Sequence, residues 1–243
     1  MNRSTPDRTG QSRPTGAGRG RETVLARRER AAAIAERLAG AYPQAACSLD
    51  FDSPFQLLVA TSLSAQCTDK RVNAVTPGLF ARWPDAGSLA EARPQDLESV
   101  IRSTGFFRAK AKSILGCCQA LVARHAGEVP RTLEELVRLP GVGRKTANVV
   151  MGSAFGIASG VVVDTHVGRI TRRLGLTRHA DAVRAERDLV RVVPERHWIA
   201  FSHTLIEHGR TICTARTARC EECPLADLCP RVGLKAPRPK PGR

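Results

Sequence analysis

The chain has 243 residues, 38 Lys and Arg against 23 Asp and Glu, a formal charge of +15, and 42% hydrophobic residues. That apolar content excludes a disordered or fibrous chain, and the length fits one large domain or two small ones. The basic excess points to nucleic acid or an anionic membrane surface, while seven Phe, two Trp and one Tyr argue against a single-strand binder that stacks base after base on aromatic rings.

Residues 1–21 are rich in Gly, Ser, Thr, Pro and Arg without hydrophobic periodicity, and read as a disordered basic extension. They lack the apolar run of a secretory signal, so the cytoplasm is the expected compartment and the eight cysteines are expected as thiols or metal ligands before disulfides. Apolar residues then recur at helical spacing over 23–41, 55–66, 71–80, 89–104, 109–125, 132–139, 145–155, 165–174, 180–193 and 198–208. Pro77, Pro84, Gly105, Pro130, Pro140, Gly175 and Pro194 are expected to punctuate these runs, and no period-two strand stands out. The predicted class is all-α, with about ten short helices. Residues 146–163 hold no charge and space Gly152, Gly156 and Gly160 four apart, but Asn148, Ser153 and Ser159 make them too polar to span a membrane. A buried helix followed by a Gly-marked loop is predicted there. Residues 234–243 alternate Pro with basic residues and read as an extended tail.

Within this frame three segments carry chemistry. Thr132 and Glu135 are spaced as a capping box, and Leu133, Leu136 and Val137 form the apolar face of a helix ending at Pro140. The following segment, LPGVGRKTANVV (139–150), places Gly141 and Gly143 in a tight turn before a second helix opened by Arg144. The uncapped N–H groups of that helix make a phosphate-sized anion site, and such a helix-hairpin-helix grips duplex backbone without reading sequence. Lys145 sits in the first turn. It can serve as one more phosphate contact, or as a nucleophile whose free amine is favoured by the positive end of the helix dipole and by Arg144. Asp164, in VVVDTHVGR, caps a helix beginning at Thr165 and His166, and a carboxylate there could also face a cleft and stabilise positive charge on a sugar.

The third segment is Cys213, Cys220, Cys223 and Cys229, in C-x6-C-x2-C-x5-C spacing. Four thiolates on one short loop suit zinc or a 4Fe-4S cluster. Structural zinc usually takes two close Cys pairs, whereas these ligands spread along one segment and Pro224 and Pro230 each follow a cysteine, so the cluster is favoured. Arg216 and Arg219 lie between the first two cysteines, either to grip phosphates or as a solvated loop offsetting the cluster's charge. Cys47, Cys67, Cys117 and Cys118 lack ligand spacing and are expected as small core residues.

LPGVGRKTANVV, VDTH and the cysteine spacing, in that order, resemble the endonuclease III family of DNA glycosylases and AP lyases, over residues 25–230. SLSAQCTD (62–69) resembles the family's segment near the lesion, in which Gln66 would occupy the space vacated by the extruded nucleotide. TGFF (104–107) resembles its second wedge turn, with Phe106 where an aliphatic side chain is common. The resemblance implies a two-lobed all-α helix-hairpin-helix glycosylase fold. Residues 47–157 would form a six-helix domain, and residues 22–46 with 158–233 an iron-sulfur cluster domain. It also implies a damaged nucleotide flipped into the cleft between them. Lys145 would attack the anomeric carbon of the deoxyribose, expel the base and form a Schiff base, after which β-elimination nicks the strand. Asp164 would assist lysine deprotonation and stabilise the cationic sugar, and the cluster would be structural. Gly141, Gly143, Arg144, His166, Arg216 and Arg219 would join Gln66 and Phe106 on the DNA.

The expected partner is damaged double-stranded DNA carrying oxidised pyrimidines, met by a monomer on the nucleoid. A monofunctional, adenine-removing glycosylase of the same superfamily shares the hairpin and cluster but lacks a lysine at the position of Lys145. A non-catalytic DNA-binding module with a zinc knot would use Lys145 only as a phosphate contact. Of the formal charge, residues 1–30 and 230–243 together carry +10 and residues 31–229 only +5, so the flanks supply most of the nonspecific attraction and specificity must rest on a few positioned groups.

Overall fold

The computed structural model describes residues 22–234; the expectations for 1–21 and 235–243 lie outside them. Eleven α-helices and two 3-10 turns make up the described fold, and its extended pairing is confined to one isolated bridge between Cys213 and Ala218.

In chain order, α1 (Val24–Ala41) begins where the Thr23 hydroxyl accepts from the Ala26 N–H. The helix α2 (Pro54–Leu63) is capped by Ser53 with Pro at its start, and α3 (Asp69–Arg82) is capped by Thr68. Pro77 does not punctuate the chain as expected but lies inside α3. Burial of Val72, Thr76 and Leu79 along the same helix offsets the lost hydrogen bond, which alone costs about 3 kcal/mol.

The run 89–104, expected as one helix, is three pieces: α4 (Ala86–Ala90), α5 (Pro94–Ile101) and a 3-10 turn at Arg102–Thr104. An Asp85–Ser88 capping box starts α4 early, and Pro94 forces Arg93 into extended backbone, so a second helix must begin there. The long α6 (Phe107–His125) follows.

The first hairpin helix is also shorter than its sequence suggests. It is a single turn, α7 (Leu133–Leu136), after which Arg138, Leu139 and Val142 bond three residues back. Thr132 accepts from the Glu135 N–H at 3.3 Å but donates its hydroxyl to the Glu135 carboxylate at 2.6 Å, so only half of the expected capping box forms. Then come α8 (Arg144–Phe155), α9 (Thr165–Arg173), α10 (Ala182–Val192), a 3-10 turn at Glu195–His197 and α11 (Trp198–Thr211). The charge-free stretch does form a buried helix: α8 ends at Gly156, whose φ of +67° places the N–H groups of residues 156 and 157 on the carbonyls of Gly152 and Met151.

Two hydrophobic cores organise these helices. One gathers Leu57, Leu58, Leu63, Leu79, Leu97, Ile101, Ile114, Leu121, Val150 and their neighbours from α2 to α8. The other joins Ile34 and Leu38 of α1 to Val167, Ile170, Leu189, Phe201, Leu205 and Leu225. The lobes meet where α8 crosses α11: a Cβ on Gly152 would lie 3.3 Å from Ile199, and Ser153 stands 3.4 Å from the His203 ring nitrogen.

Candidate active site, wedge turns and cysteine loop

A cleft of about 620 Å³ opens between the lobes, and Lys145 and Asp164 both line it. Its walls come from the loop after α1 (Tyr42 and Cys47 among others), from Thr61 of α2 and Ser64 just past its end, and from Ser202, His203, Ile206 and Arg210 of α11. Lys145 reaches it as the second residue of α8, exposed, from the first lobe. Asp164 reaches it from the second, where one carboxylate oxygen accepts from the Val167 N–H at 2.8 Å and caps α9. Capping therefore engages one oxygen and places the side chain at the cleft as well; the two readings of Asp164 are compatible.

The hairpin turn works as its glycines require at one position. Gly141 has φ +74°, and a Cβ there would fall 2.7 Å from Ser113 Cβ. Gly143 has an ordinary φ of −87° and open space where a Cβ would stand; it leaves the start of α8 bare, without a side-chain cap on the first-turn N–H groups. That is a donor cluster at a positive helix end, suited to a phosphate.

Arg144 has a partner the sequence did not reveal. Its Nε lies 3.0 and 2.9 Å from the two oxygens of Glu186 on α10, a carboxylate whose side chain is 7% exposed. Asn148 donates to the same carboxylate at 2.8 Å and accepts from Ser159 at 2.9 Å. The loop passes so close that a Cβ on Gly160 would overlap Glu186. This network ties the hairpin to the second lobe and offsets the Arg144 charge beside Lys145. His166 is likewise turned inward: it is half-buried, its Nδ1 is 3.2 Å from Arg169, and it packs on Gly209.

Gln66 and Phe106, far apart in sequence, share an unusual backbone. Both are exposed and both adopt left-handed φ, +52° and +49°. Such conformations cost on the order of 1 kcal/mol for a residue with a side chain, and persist where the surroundings impose them. Gln66 tops the turn between α2 and α3, and Phe106 tops the turn into α6 after Gly105. A buried lysine that has no counterpart among the expected site residues lies beneath them. Lys110 is buried at 6% exposure, and in sequence it stands in register with Ile114, Cys117 and Leu121 on the apolar face of α6. A lysine on an apolar stripe was the available signal, as was Glu186 in register with Leu189 on α10.

The four cysteines line one small cavity with Ile170, Arg173, His208 and Leu225. Backbone N–H groups of Leu225 and Arg231 point at the sulfurs of Cys223 and Cys229, each at 3.4 Å, and Arg173 donates to Cys213 Sγ at 3.1 Å. Donors gathered around sulfur favour thiolates, and burial pushes the free Cys223 and Cys229 thiols up, so a group that holds them ionised must supply positive charge. Among the described residues no three His, Cys, Asp or Glu side chains converge at the range of a single ion. His208, fully buried, fills the space between Cys223 and the Tyr42 hydroxyl, and burial lowers its pKa to about 4. Of the two loop arginines, Arg219 is held by Glu222 and the Thr211 carbonyl, whereas Arg216 is exposed.

Comparison with known proteins gives a consistent result. Residues 59–195 match the HhH-GPD superfamily of base excision DNA repair proteins. Endonuclease III of Synechocystis is 56% identical over 207 residues, covering 85% of this chain and 94% of that one. Two solved structures, a non-covalent endonuclease III–DNA complex and a trapped endonuclease III–DNA covalent intermediate with an estranged adenine, each superpose with a TM-score of 0.78 at 41% identity. Both cover 84% of this chain, and 95% and 96% of their own.

Proposed function

The chain belongs to the endonuclease III family within the HhH-GPD superfamily and is a base excision repair DNA glycosylase with AP lyase activity; on that premise we propose that Lys145 and Asp164 carry the chemistry, on oxidised pyrimidines in duplex DNA. The observation that carries this reading is that the two side chains, one from each lobe, line the same cleft. A nucleotide extruded from the duplex enters it. The Lys145 amine attacks C1′, the C1′–N bond breaks and the base leaves as an anion that takes a proton from water. The attached lysine then loses a proton by way of Asp164 to the ring oxygen, which departs as a hydroxyl as the sugar opens to an iminium. Removal of a 2′ proton expels the 3′ phosphate and cuts the strand, and water releases the lysine. The free oxygen of Asp164 takes the ammonium proton and faces the cationic sugar. A trapped covalent complex of the structural neighbour with DNA supports an enzyme-bound intermediate.

Around this pair, the bare α8 N-terminus with Gly141 and Gly143 holds backbone phosphate, with His166 steadying α9 behind it. Gln66 fills the gap left by the nucleotide, and Phe106 meets the unpaired base. Cys213, Cys220, Cys223 and Cys229 hold a 4Fe-4S cluster, which supplies a structural crosslink; Arg216 projects from its loop toward phosphate. The six-helix lobe takes residues 47–157 and the cluster lobe residues 22–46 and 158–233. The protein works as a monomer on the nucleoid; no helix among the described residues is long and apolar enough to cross a membrane.

The test is strand nicking. Lys145→Ala abolishes cleavage at an abasic site, a loss of at least about 10⁴-fold, while binding to the same duplex stays within about threefold. Retained cleavage would remove Lys145 from the mechanism.

A further inference from the structure

Of the described Lys and Arg residues only Lys110 is buried, and its ammonium is met by carbonyls rather than by a carboxylate. Its Nζ donates to the Leu63 carbonyl and to the Thr104 carbonyl, both at 2.7 Å. Leu63 ends α2, three residues before Gln66; Thr104 ends the 3-10 turn, two residues before Phe106. The main-chain N–H of Lys110 also bonds the Phe106 carbonyl at 3.0 Å. One residue therefore grips the roots of both exposed turns, which the chain separates by forty positions.

The chemistry suits a lysine. Both carbonyls lie at the negative ends of their helices, where the last acceptors lack partners within the helix, and an ammonium offers several donors at one point and no acceptor. Burial pushes the Lys110 ammonium below the ordinary lysine range, a cost that a space-filling residue would not carry. The left-handed backbones at Gln66 and Phe106 are the kind that persist only when their surroundings fix them.

We propose that Lys110 is a positioning residue for the DNA-facing turns, a buried strut that holds Gln66 and Phe106 at the spacing needed to enter the duplex together. The inference rests on the wedge reading of those two residues. It predicts a defect specific to duplex substrate, because a single strand has no opposite base to replace and no stack to part.

The measurement is the ratio of kcat/KM on an abasic duplex to kcat/KM on the same strand alone. Lys110→Met should lower that ratio about tenfold or more, the double variant Gln66→Ala/Phe106→Ala should lower it comparably, and adding Lys110→Met to the double variant should change it by less than about twofold. If Lys110→Met lowers both activities in proportion, the lysine is only a structural cap and the proposal fails. If the ratio falls in the double variant but not in Lys110→Met, the strut is overturned and the wedge reading stands; if the double variant keeps the ratio, the wedge reading fails and the strut with it. Should Lys110→Met not fold, Lys110→Gln, which can serve one of the two carbonyls, is read in the same way.

Discussion

The hairpin lobe and the cysteine-loop lobe are held together by different means. The first buries 28 hydrophobic residues in a core fed by α2 to α8. The second buries 17, and its last stretch, residues 212–234, runs without a helix and contributes only Leu225 to them. A segment that buries so little cannot offset its ordering entropy by apolar burial alone, which is where small folds use disulfides or metals. The four cysteines lie in that segment. The proposed chemistry would draw on both lobes, since Lys145 reaches the cleft from the first and Asp164 from the one that carries the cysteine loop.

Removing the crosslink breaks this contrast most strongly. Cys220→Ser should lose iron and about 2–5 kcal/mol of stability, the scale of a lost covalent loop closure, with amide exchange rising over 212–234 and not over α2 to α6. Cys117→Ala, in the first lobe, should keep its metal. Uniform loss of protection across both lobes would contradict the division.

Asp164 sharpens the comparison at the cleft. Asp164→Asn keeps an acceptor for the Val167 N–H and removes only the charge, so kcat should fall about 10²-fold with the melting temperature little changed. Asp164→Ala should lose a further ~1 kcal/mol through the cap. Equal stabilities for the two variants would mean the cap contributes nothing.

The Arg144–Glu186 pair joins the lobes. Glu186 is buried but Arg144 is half exposed, so solvent screens the pair, and Glu186→Gln should cost about 1–2 kcal/mol in urea unfolding rather than the larger penalty of a fully buried pair. A variant as stable as the wild type would show that the lobes are held by their other contacts, among them the α8–α11 contact and the Arg210–Asp69 ion pair.

The smallest effect at working pH belongs to the first core. Burial pushes Cys117 up to about 11 and Cys118 up to about 12. The unfolded thiols ionise near their ordinary value, so above about pH 9 the folded state binds more protons than the unfolded one. Their contribution is fully present below that pH and is lost as pH rises toward 11–12. The urea midpoint should therefore fall between pH 8 and 10.5, and Cys117→Ala/Cys118→Ala should flatten that fall; an unchanged slope would contradict it.

Much of this molecule was legible from residue types. The all-α class, most helix positions and the cysteine cavity follow from periodicity and spacing, because amphipathic faces and ligand spacing are local properties. Helix ends failed where tertiary packing or capping competed: Pro77 was absorbed into α3, Pro94 divided a run expected whole, and α7 shrank to one turn. Lys110, Glu186 and the inward turn of His166 were not legible because one decisive partner of each, Leu63, Asn148 and Gly209 respectively, lies 38 or more positions away on another element. A charged residue on an apolar stripe announces that a partner exists without saying which.

The most direct test of the central claim is borohydride trapping on abasic duplex DNA, read by mass. Wild-type protein should give a covalent protein–DNA adduct whose modified peptide contains Lys145, absent from Lys145→Ala protein that still binds the duplex. An adduct on another residue, or none from folded wild-type protein that cleaves the strand, would contradict it.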